Sequence, residues 1–355
     1  MSVRVLIIDD SALVRKILSA VLATDADIEV VGAAPDPFVG RDMILKHKPD
    51  VILLDVEMPR MDGITFLRKL MEFFPMPVLI VSSLTTKGSK LALDALSAGA
   101  VEVIAKPTAA YSIGDLAPVL IEKVKAAKFA RVKKMVPAAN VQPVAQLATA
   151  SSTHKMIAIG SSTGGTVAIE AIVRALPANI PGTVITQHMP PDFTAAFAGR
   201  LNTLTPIQIR EGRDGDVLKP GEILIAPGDQ HMTVHRSGAL YRIGLNSGPM
   251  VHRQRPAVDV MFNTVAEAAG PNALGIVLTG MGADGADGLL KMRKAGAATI
   301  AQDEKSCVVF GMPREAIEAG AAQHVMPLDK IADAIVKFAS GKLKEPLKHA
   351  RANCG

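Results

Sequence analysis

Short apolar runs alternate with amphipathic stretches along the first hundred residues. The runs are Val3–Ile8, Ile28–Ala33, Val51–Leu54, Val78–Val81 and Glu102–Ala105. This rhythm is typical of a parallel sheet with helices on its faces. It predicts an α/β unit with a five-stranded flavodoxin-like sheet. In the first intervening segment, Leu13, Ile17, Ala20 and Val21 share one face of a predicted helix, and Ser11 is placed to cap it.

The same rhythm restarts at Met156 and continues to about residue 340. It predicts a second, doubly wound parallel sheet, with an irregular middle over residues 206–255 that is rich in turn signals. Between the two units, Pro137 and Pro143 interrupt a basic stretch without Asp or Glu. We therefore predict a first domain over residues 1–125, a flexible linker over 126–153 and a second domain over 154–345.

Composition narrows the class of protein. The chain has 355 residues, enough for two cores, and a net charge of +5 without Trp and with only two Tyr. A nucleic-acid surface would show a clustered basic stripe with aromatic residues, so we expect no nucleic-acid partner. No run of eighteen apolar residues occurs, acidic residues appear by position 9, and the two cysteines form no framework. These features predict a cytoplasmic protein.

Polar side chains collect where the predicted strands of the first domain end. Asp9 and Asp10 follow the first strand, Asp55 the third, Ser82 the fourth and Lys106 the fifth. The carboxyl ends of parallel strands share one edge of a sheet. Carboxylates brought together there favour Mg²⁺, and one of them, beside a lysine and a hydroxyl, can accept a phosphoryl group. Any one of these aspartates, considered by itself, is more simply explained as a helix cap.

The whole set, written DD…LDVEMPRMDG…VSS…KP, closely resembles the receiver domain of two-component response regulators. The resemblance implies that Asp55 is the phospho-acceptor and that Ser82 and Lys106 form the switch. It also implies an Mg²⁺ site at Asp9, Asp10 and Asp55, to which Glu57 contributes through its backbone. Many receivers carry an aromatic residue three positions before the lysine, where this chain has Val103.

In the second domain, three strand ends carry the residues of acyl-transfer chemistry. Ser162 follows the strand at Met156, His188 follows Val184–Gln187, and Asp284 lies five residues past Thr279. A serine can attack a carbonyl, a histidine can take its proton, and an aspartate can orient the imidazole. The glycines around Ser162 also suggest a dinucleotide loop. That alternative needs glycine at position 162 and an acidic residue near Gln187.

The segments AIGSSTGGT, ITQHMPPDF, GPMVHRQRPAVDV, LTGMGADG and SCVVFGMPREAI strongly resemble the catalytic domain of the protein-glutamate methylesterases of bacterial chemotaxis. The resemblance implies a serine hydrolase with the triad Ser162, His188 and Asp284, and an oxyanion hole that includes the Met281 N–H. It implies methyl-ester hydrolysis and glutamine deamidation on chemotaxis receptors, without a cofactor for the esterase step. A chemotaxis histidine kinase would be the phosphodonor. Ser161 stands where the family often has alanine.

The presence of both domains in one chain implies that phosphorylation of Asp55 activates the esterase. We also expect the protein to be a monomer and to contact membranes only through its receptors. Two other functions remain open here, a receiver-linked dinucleotide enzyme and a non-catalytic regulatory binding protein. His252, Arg253 and Arg255 precede a predicted helix. They are candidates either for contact with an acidic receptor surface or for ion pairs within the domain.

Overall fold

The computed structural model describes residues 2–58, 62–83, 85–106, 113–132 and 154–343, and the chain forms two compact units. Most of the predicted linker and the C-terminal tail lie outside the described residues. The boundaries set at 125, 153 and 345 therefore stay predictions. Among the helices that the structure describes, none combines the length and the apolar character needed to cross a membrane.

The first unit contains a parallel sheet whose five strands have the order β2-β1-β3-β4-β5. This is the flavodoxin-like order and confirms the predicted fold. Its strands are β1 (Val3–Ile8), β2 (Ile28–Ala34), β3 (Val51–Asp55), β4 (Val78–Ser82) and β5 (Glu102–Ala105). Its helices are α1 (Ala12–Leu22), α2 (Pro37–His47), α3 (Gly63–Phe73), α4 (Thr86–Ser97) and α5 (Ile113–Ala127).

Helix α1 buries only part of the apolar face noted in the sequence. Ser11 caps the helix as expected, since its hydroxyl accepts a hydrogen bond from the Val14 N–H. However, the buried residues are Leu18, Val21 and Leu22, whereas Leu13 is 66% exposed. The helix is apolar around most of its circumference, so spacing alone predicts a helix but does not select the face that packs on the sheet.

The second unit contains a parallel seven-stranded sheet of order β15-β14-β13-β6-β7-β10-β8. Its strands are β6 (Met156–Ser161), β7 (Gly182–Gln187), β8 (Gln208–Glu211), β10 (Glu222–Ile225), β13 (Ala273–Val277), β14 (Ala298–Gln302) and β15 (His324–Met326). Its helices are α6 (Gly165–Ala175), α7 (Phe193–Asn202), α8 (Val258–Ala269), α9 (Ala286–Lys294), α10 (Met312–Glu318) and α11 (Leu328–Ala339).

A separate antiparallel sheet occupies the stretch predicted to be irregular. It has the order β11-β12-β9, with strands β9 (Val217–Leu218), β11 (His231–Ser237) and β12 (Leu240–Asn246). Ser237 pairs with Leu240 across a two-residue turn in which Gly238 has a φ of +60°. The hairpin signal, a two-residue turn that begins with glycine between runs of alternating polarity, is present in the sequence.

The sheet order places the candidate site. Strand β6 lies between β13 and β7, so the carboxyl ends of these strands are neighbours. The chain runs from β6 to one side through β7 and later returns to the other side through β13, which makes this edge the topological switch point. Behind it, α8 and α9 bury Phe262, Leu289 and Met292 in one apolar cluster.

Gly160 allows α8 to approach the end of β6. A Cβ atom at this position would lie 2.2 Å from Val258 Cγ1, at the first residue of α8. We therefore expect Gly160→Ala to lower the free energy of unfolding by about 1–3 kcal/mol, because the helix must move away. Denaturant unfolding followed by circular dichroism measures this change.

The matched control is Gly199→Ala. A Cβ atom at Gly199, in α7, would meet no heavy atom within 4 Å. Alanine favours the helix there, so this variant should be as stable as the wild type or more stable by up to about 1 kcal/mol. Equal stability of Gly160→Ala and wild type would show that α8 does not depend on the close approach.

Candidate active site

Ser162 stands at an abrupt turn between a strand and a helix. The strand β6 is buried throughout and ends at Ser161, and α6 begins at Gly165. The Ser162 N–H donates to Thr279 O at 3.1 Å, and Ser162 O accepts from the Gly165 N–H at 2.7 Å. Gly164 has a φ of +77°, a conformation that glycine adopts without strain. The turn holds Ser162, which is 7% exposed, at the edge of the sheet.

The buried amide of Gln187 links the ends of β6 and β7. Its Oε1 accepts from the Ser161 hydroxyl at 2.6 Å, and its Nε2 donates to Ser162 O at 2.9 Å and to His188 O at 3.3 Å. The His188 N–H also donates to Ser161 O at 3.1 Å. These bonds fix the backbone of Ser162 relative to that of His188. Sequence reasoning used Gln187 only as evidence against a dinucleotide loop and missed this contribution.

His188 and Asp284 form a buried pair. Their Nε2 and Oδ2 atoms are 2.7 Å apart, and the side chains are 3% and 2% exposed. Asp284 Oδ2 also accepts from the Val258 N–H at 2.7 Å, and Oδ1 accepts from the Asp259 N–H at 2.8 Å. Ala257, the N-cap residue of α8, offers no side-chain acceptor. Asp284 therefore supplies the cap of α8 from another loop.

The surroundings of Asp284 favour its charged form. Burial by itself would raise the pKa of this carboxyl, but the hydrogen bonds that it accepts from His188 and from the backbone N–H groups of Asp259 and Val258 lower it overall. An ionised carboxylate only accepts hydrogen bonds, so His188 Nε2 carries the proton in this pair. The other ring nitrogen, Nδ1, is buried without a hydrogen-bond partner. This nitrogen is free to act as a base.

The structure places Ser162 and His188 on adjacent strand ends without joining their side chains. Among the described residues, no hydrogen bond connects the Ser162 hydroxyl to His188, whose only ring partner is Asp284. Catalytic hydrogen bonds are often loose without substrate and tighten when it binds. The geometry thus places a candidate nucleophile and an oriented imidazole at one sheet edge.

The turn after β13 lies directly against Ser162. A Cβ atom at Gly280 would be 2.8 Å from Ser162 Cβ, which shows how closely the two backbones approach. The next residue is Met281, whose N–H makes no hydrogen bond among the described residues. An unused donor beside a candidate nucleophile is the element from which an oxyanion hole is built.

Two of the basic residues considered for partner contact have partners inside the unit. His252 Nε2 lies 3.0 Å from Asp259 Oδ2, and Arg255 Nη2 lies 2.5 Å from Asp229 Oδ1. These contacts favour the interpretation as ion pairs within the domain for His252 and Arg255.

A second polar cluster lies at the carboxyl edge of the sheet in the first unit. Lys106 Nζ is 2.7 Å from Asp55 Oδ2 and 3.2 Å from Asp9 Oδ2. Carboxylate oxygens of Asp9, Asp10 and Asp55 all lie within 4.8 Å of one another. Burial, followed by the charge of Asp55, raises the pKa of Asp9. Burial would lower the pKa of Lys106, but its contacts with Asp55 and Asp9 raise it overall.

The other predicted residues of this cluster, Glu57 and Ser82, lie at the ends of β3 and β4. The Glu57 N–H donates to Asp55 Oδ1 at 2.9 Å, while the Glu57 carboxylate accepts from the Ser83 hydroxyl at 2.7 Å. Ser82 is fully buried and donates to Gly88 O at 3.1 Å. Val103, in place of an aromatic residue, is also buried. Crowded carboxylates beside a lysine suit a divalent cation and a phosphoryl group.

Comparison with known proteins assigns both units to families. Residues 157–335 match the model of the CheB methylesterase family, and residues 5–116 match that of the response regulator receiver domain. A protein from Syntrophus aciditrophicus, named protein-glutamate methylesterase/protein-glutamine glutaminase 2, is 55% identical over 95% of this chain and 99% of its own. A protein of the same name from Pseudomonas aeruginosa is 52% identical over 96% of this chain and 98% of its own.

A solved structure supports the assignment of the second unit. The CheB methylesterase catalytic domain of Thermotoga maritima superposes with a TM-score of 0.51 and 38% sequence identity. It covers 52% of this chain and 98% of that domain. Sequence and fold therefore agree on the same family.

Proposed function

Because this chain belongs to the CheB methylesterase family, in the form that carries a receiver domain, we propose that Ser162, His188 and Asp284 are its catalytic triad. The enzyme is a protein-glutamate methylesterase and protein-glutamine glutaminase, a carboxylic ester hydrolase that serves chemotactic adaptation. The observation that carries the triad is the bond from His188 Nε2 to Asp284, which leaves the buried Nδ1 unpaired.

In the first half of the reaction, the Ser162 hydroxyl attacks the carbonyl carbon of the glutamate methyl ester. His188 Nδ1 takes the hydroxyl proton, and Asp284 stabilises the imidazolium that forms. The negative charge that develops on the carbonyl oxygen faces the free Met281 N–H. Loss of one such donor typically lowers the rate by about 10²–10³-fold. The C–O bond to methanol then breaks, and His188 returns the proton to the leaving methoxide oxygen.

In the second half, water hydrolyses the acyl-enzyme. His188 takes a proton from the water, whose oxygen attacks the acyl carbon, and Ser162 leaves with that proton. The products are glutamate, methanol and free enzyme. The same steps on a glutamine side chain release ammonia in place of methanol, which accounts for the glutaminase activity of the family.

The substrates are methylated glutamates of chemotaxis receptors, and a chemotaxis histidine kinase supplies the phosphoryl group to Asp55. The oxygens of Asp9, Asp10 and Asp55 are close enough to hold Mg²⁺, which neutralises the charge of the transferred phosphoryl group when bound. Glu57 contributes to this site through its backbone, and Ser82 and Lys106 respond to phosphorylation. The protein acts in the cytoplasm as a monomer, and its esterase step needs no cofactor.

Phosphorylation of Asp55 should activate the esterase. We expect Asp55→Asn to keep the basal rate within about twofold and to lose all stimulation by a small-molecule phosphodonor with Mg²⁺, since asparagine cannot accept the phosphoryl group. Methanol release from methylated receptor membranes measures both rates. The matched control is Asp42→Asn on α2, whose carboxylate is 68% exposed, and this variant should be stimulated like the wild type. Stimulation of Asp55→Asn would contradict the proposed acceptor.

A further inference from the structure

A second pair of histidine and carboxylate lies next to the catalytic one. His252 Nε2 is 3.0 Å from Asp259 Oδ2, and the His252 side chain is 40% exposed while that of Asp259 is 7% exposed. The pair therefore connects a partly exposed imidazole to a buried carboxylate in α8. The steps of the esterase reaction use neither side chain.

The buried carboxylate of this pair adjoins Asp284. The Asp259 N–H donates to Asp284 Oδ1 at 2.8 Å, and acceptor atoms of His252, Asp259 and Asp284 all lie within 4.8 Å of one another. Burial first, and the charge of Asp284 after it, raises the pKa of Asp259. Two carboxylates so close repel each other. Because His252 also lies within 4.8 Å of both, a charge on its ring acts on Asp284 as well as on Asp259.

A tight turn fixes the histidine of this pair. Val251 and Gln254 exchange two backbone hydrogen bonds, of 3.2 and 2.9 Å. Between them, His252 and Arg253 have φ values of +51° and +60°, which non-glycine residues seldom adopt. Two successive residues in this conformation form the compact turn that sets the direction of the His252 side chain.

Few other charged groups reach Asp259. Helix α9 presents to it the N–H groups of Gly288, at 2.6 Å from Oδ1, and of Gly285. On β11, the His231 ring forms hydrogen bonds with Pro249 O and the Ala257 N–H, and the His235 ring forms one with the Thr233 hydroxyl. The strands β6, β7 and β13 carry no charged residue.

Among the described residues, most of the other charged side chains on these elements are exposed or have partners elsewhere. Asp287 of α9 is exposed, Glu267 of α8 pairs with Lys291, and Arg253 lies beside His252 in the turn. His252 is thus a partly exposed side chain whose charge, when its ring is protonated, acts on Asp259 and Asp284.

We propose that Asp259 and His252 are positioning residues of the esterase, and that the charge of this pair sets how readily His188 takes up a proton. The proposal rests on the proposed triad. An ionised Asp259 adds negative charge beside Asp284 and stabilises the His188 imidazolium. A protonated His252 offsets that charge and makes His188 a weaker base. The pair therefore controls the acid limb of the rate profile.

Substitutions at Asp259 and at His252 are expected to shift the acid-limb midpoint of kcat/KM in opposite directions. Asp259→Asn removes a negative charge, so His188 gives up its proton at lower pH, and the acid-limb midpoint of kcat/KM should fall by about 0.5–1 pH unit. His252→Gln removes the positive charge present in acid, so the midpoint should rise. This rise should be smaller because solvent screens a side chain that is 40% exposed.

The test is methanol release by the full-length enzyme across pH 5–9 for wild type, both variants and His235→Gln. His235 is an exposed histidine on β11 without contact to Asp259, so its variant should keep the wild-type midpoint. Opposite shifts support the proposal, because general damage to the site would not reverse sign. Unchanged midpoints, or shifts of the same sign, overturn it.

One variant suffices if the other does not fold. A rise of the midpoint in His252→Gln alone supports the proposal, and its absence overturns it. The proposed triad is tested separately, since wild-type activity in Ser162→Ala would contradict the triad whatever the pH profiles show.

Discussion

Ser162→Ala should reduce methanol release from methylated receptors by at least about 10⁴-fold. The expected loss is large because the proposed nucleophile provides the atom that bonds to the substrate, and members of a triad act as a unit. Backbone donors and substrate binding survive the change, so a small residual rate above that in water should remain. The Ser162 hydroxyl makes no hydrogen bond among the described residues, so the variant should fold normally.

The neighbouring serine provides the control. Ser161 is fully buried, and its hydroxyl donates to Gln187 Oε1 at 2.6 Å. Ser161→Ala removes a hydroxyl one residue away and leaves the nucleophile, so activity should fall less than about tenfold, with a stability loss of about 1–3 kcal/mol. Steady-state methanol release and circular dichroism of both variants check this. An active Ser162→Ala with an inactive Ser161→Ala would reassign the nucleophile.

Asp284→Asn should lower kcat by about 10³–10⁴-fold while KM changes little. Asparagine can donate as well as accept, so it no longer requires His188 to carry its proton on Nε2, and it cannot stabilise the imidazolium by charge. In the wild type, the two carboxylate oxygens of Asp284 accept from the N–H groups of Val258 and Asp259 at the start of α8. The single side-chain oxygen of asparagine can still accept one of these hydrogen bonds. The variant should therefore fold, with a loss of about 1–2 kcal/mol in the free energy of unfolding.

The motif GADGADG contains its own control for this change. Asp287 follows Asp284 by three residues, is exposed and lies in the first turn of α9. Asp287→Asn should keep kcat within about twofold and shift stability by less than about 1 kcal/mol. Measurement of kcat, KM and denaturant unfolding for both variants tests the pair. Similar losses in the two variants would show that the loop, rather than the Asp284 carboxylate, carries the effect.

The sequence predicted the elements that carry the site because their signals are local. Apolar runs that end in Asp, Ser or His residues indicate strands and their carboxyl ends, and sheet topology then brings these ends together. The flavodoxin-like order of the first sheet and the parallel second sheet were predicted in this way and are confirmed. Ser11 was likewise recognised as a cap, since the capping pattern depends on adjacent residues.

What the sequence did not predict depends on contacts between distant residues. The face of α1 that packs on the sheet was not predicted, because several apolar faces compete and contact with the sheet selects among them. The amide of Gln187 joins two strand ends through bonds that no periodicity encodes. Asp259 was not singled out from the sequence, because its contacts with His252 and Gly288 depend on a turn and on a helix that lie in other parts of the chain. The three-stranded antiparallel sheet had a readable hairpin signal that was passed over.

The cap that Asp284 provides to α8 has an evolutionary consequence. A substitution at Asp284 removes both the orienting group of His188 and two acceptors at the start of a core helix. Ser162 differs, since its hydroxyl supports no other group among the described residues. If a descendant of this chain were freed from selection for esterase activity, Ser162 could be lost at once, whereas Asp284 would persist through selection for stability. A retained aspartate in a relative without the serine would then mark an inherited scaffold rather than a working enzyme.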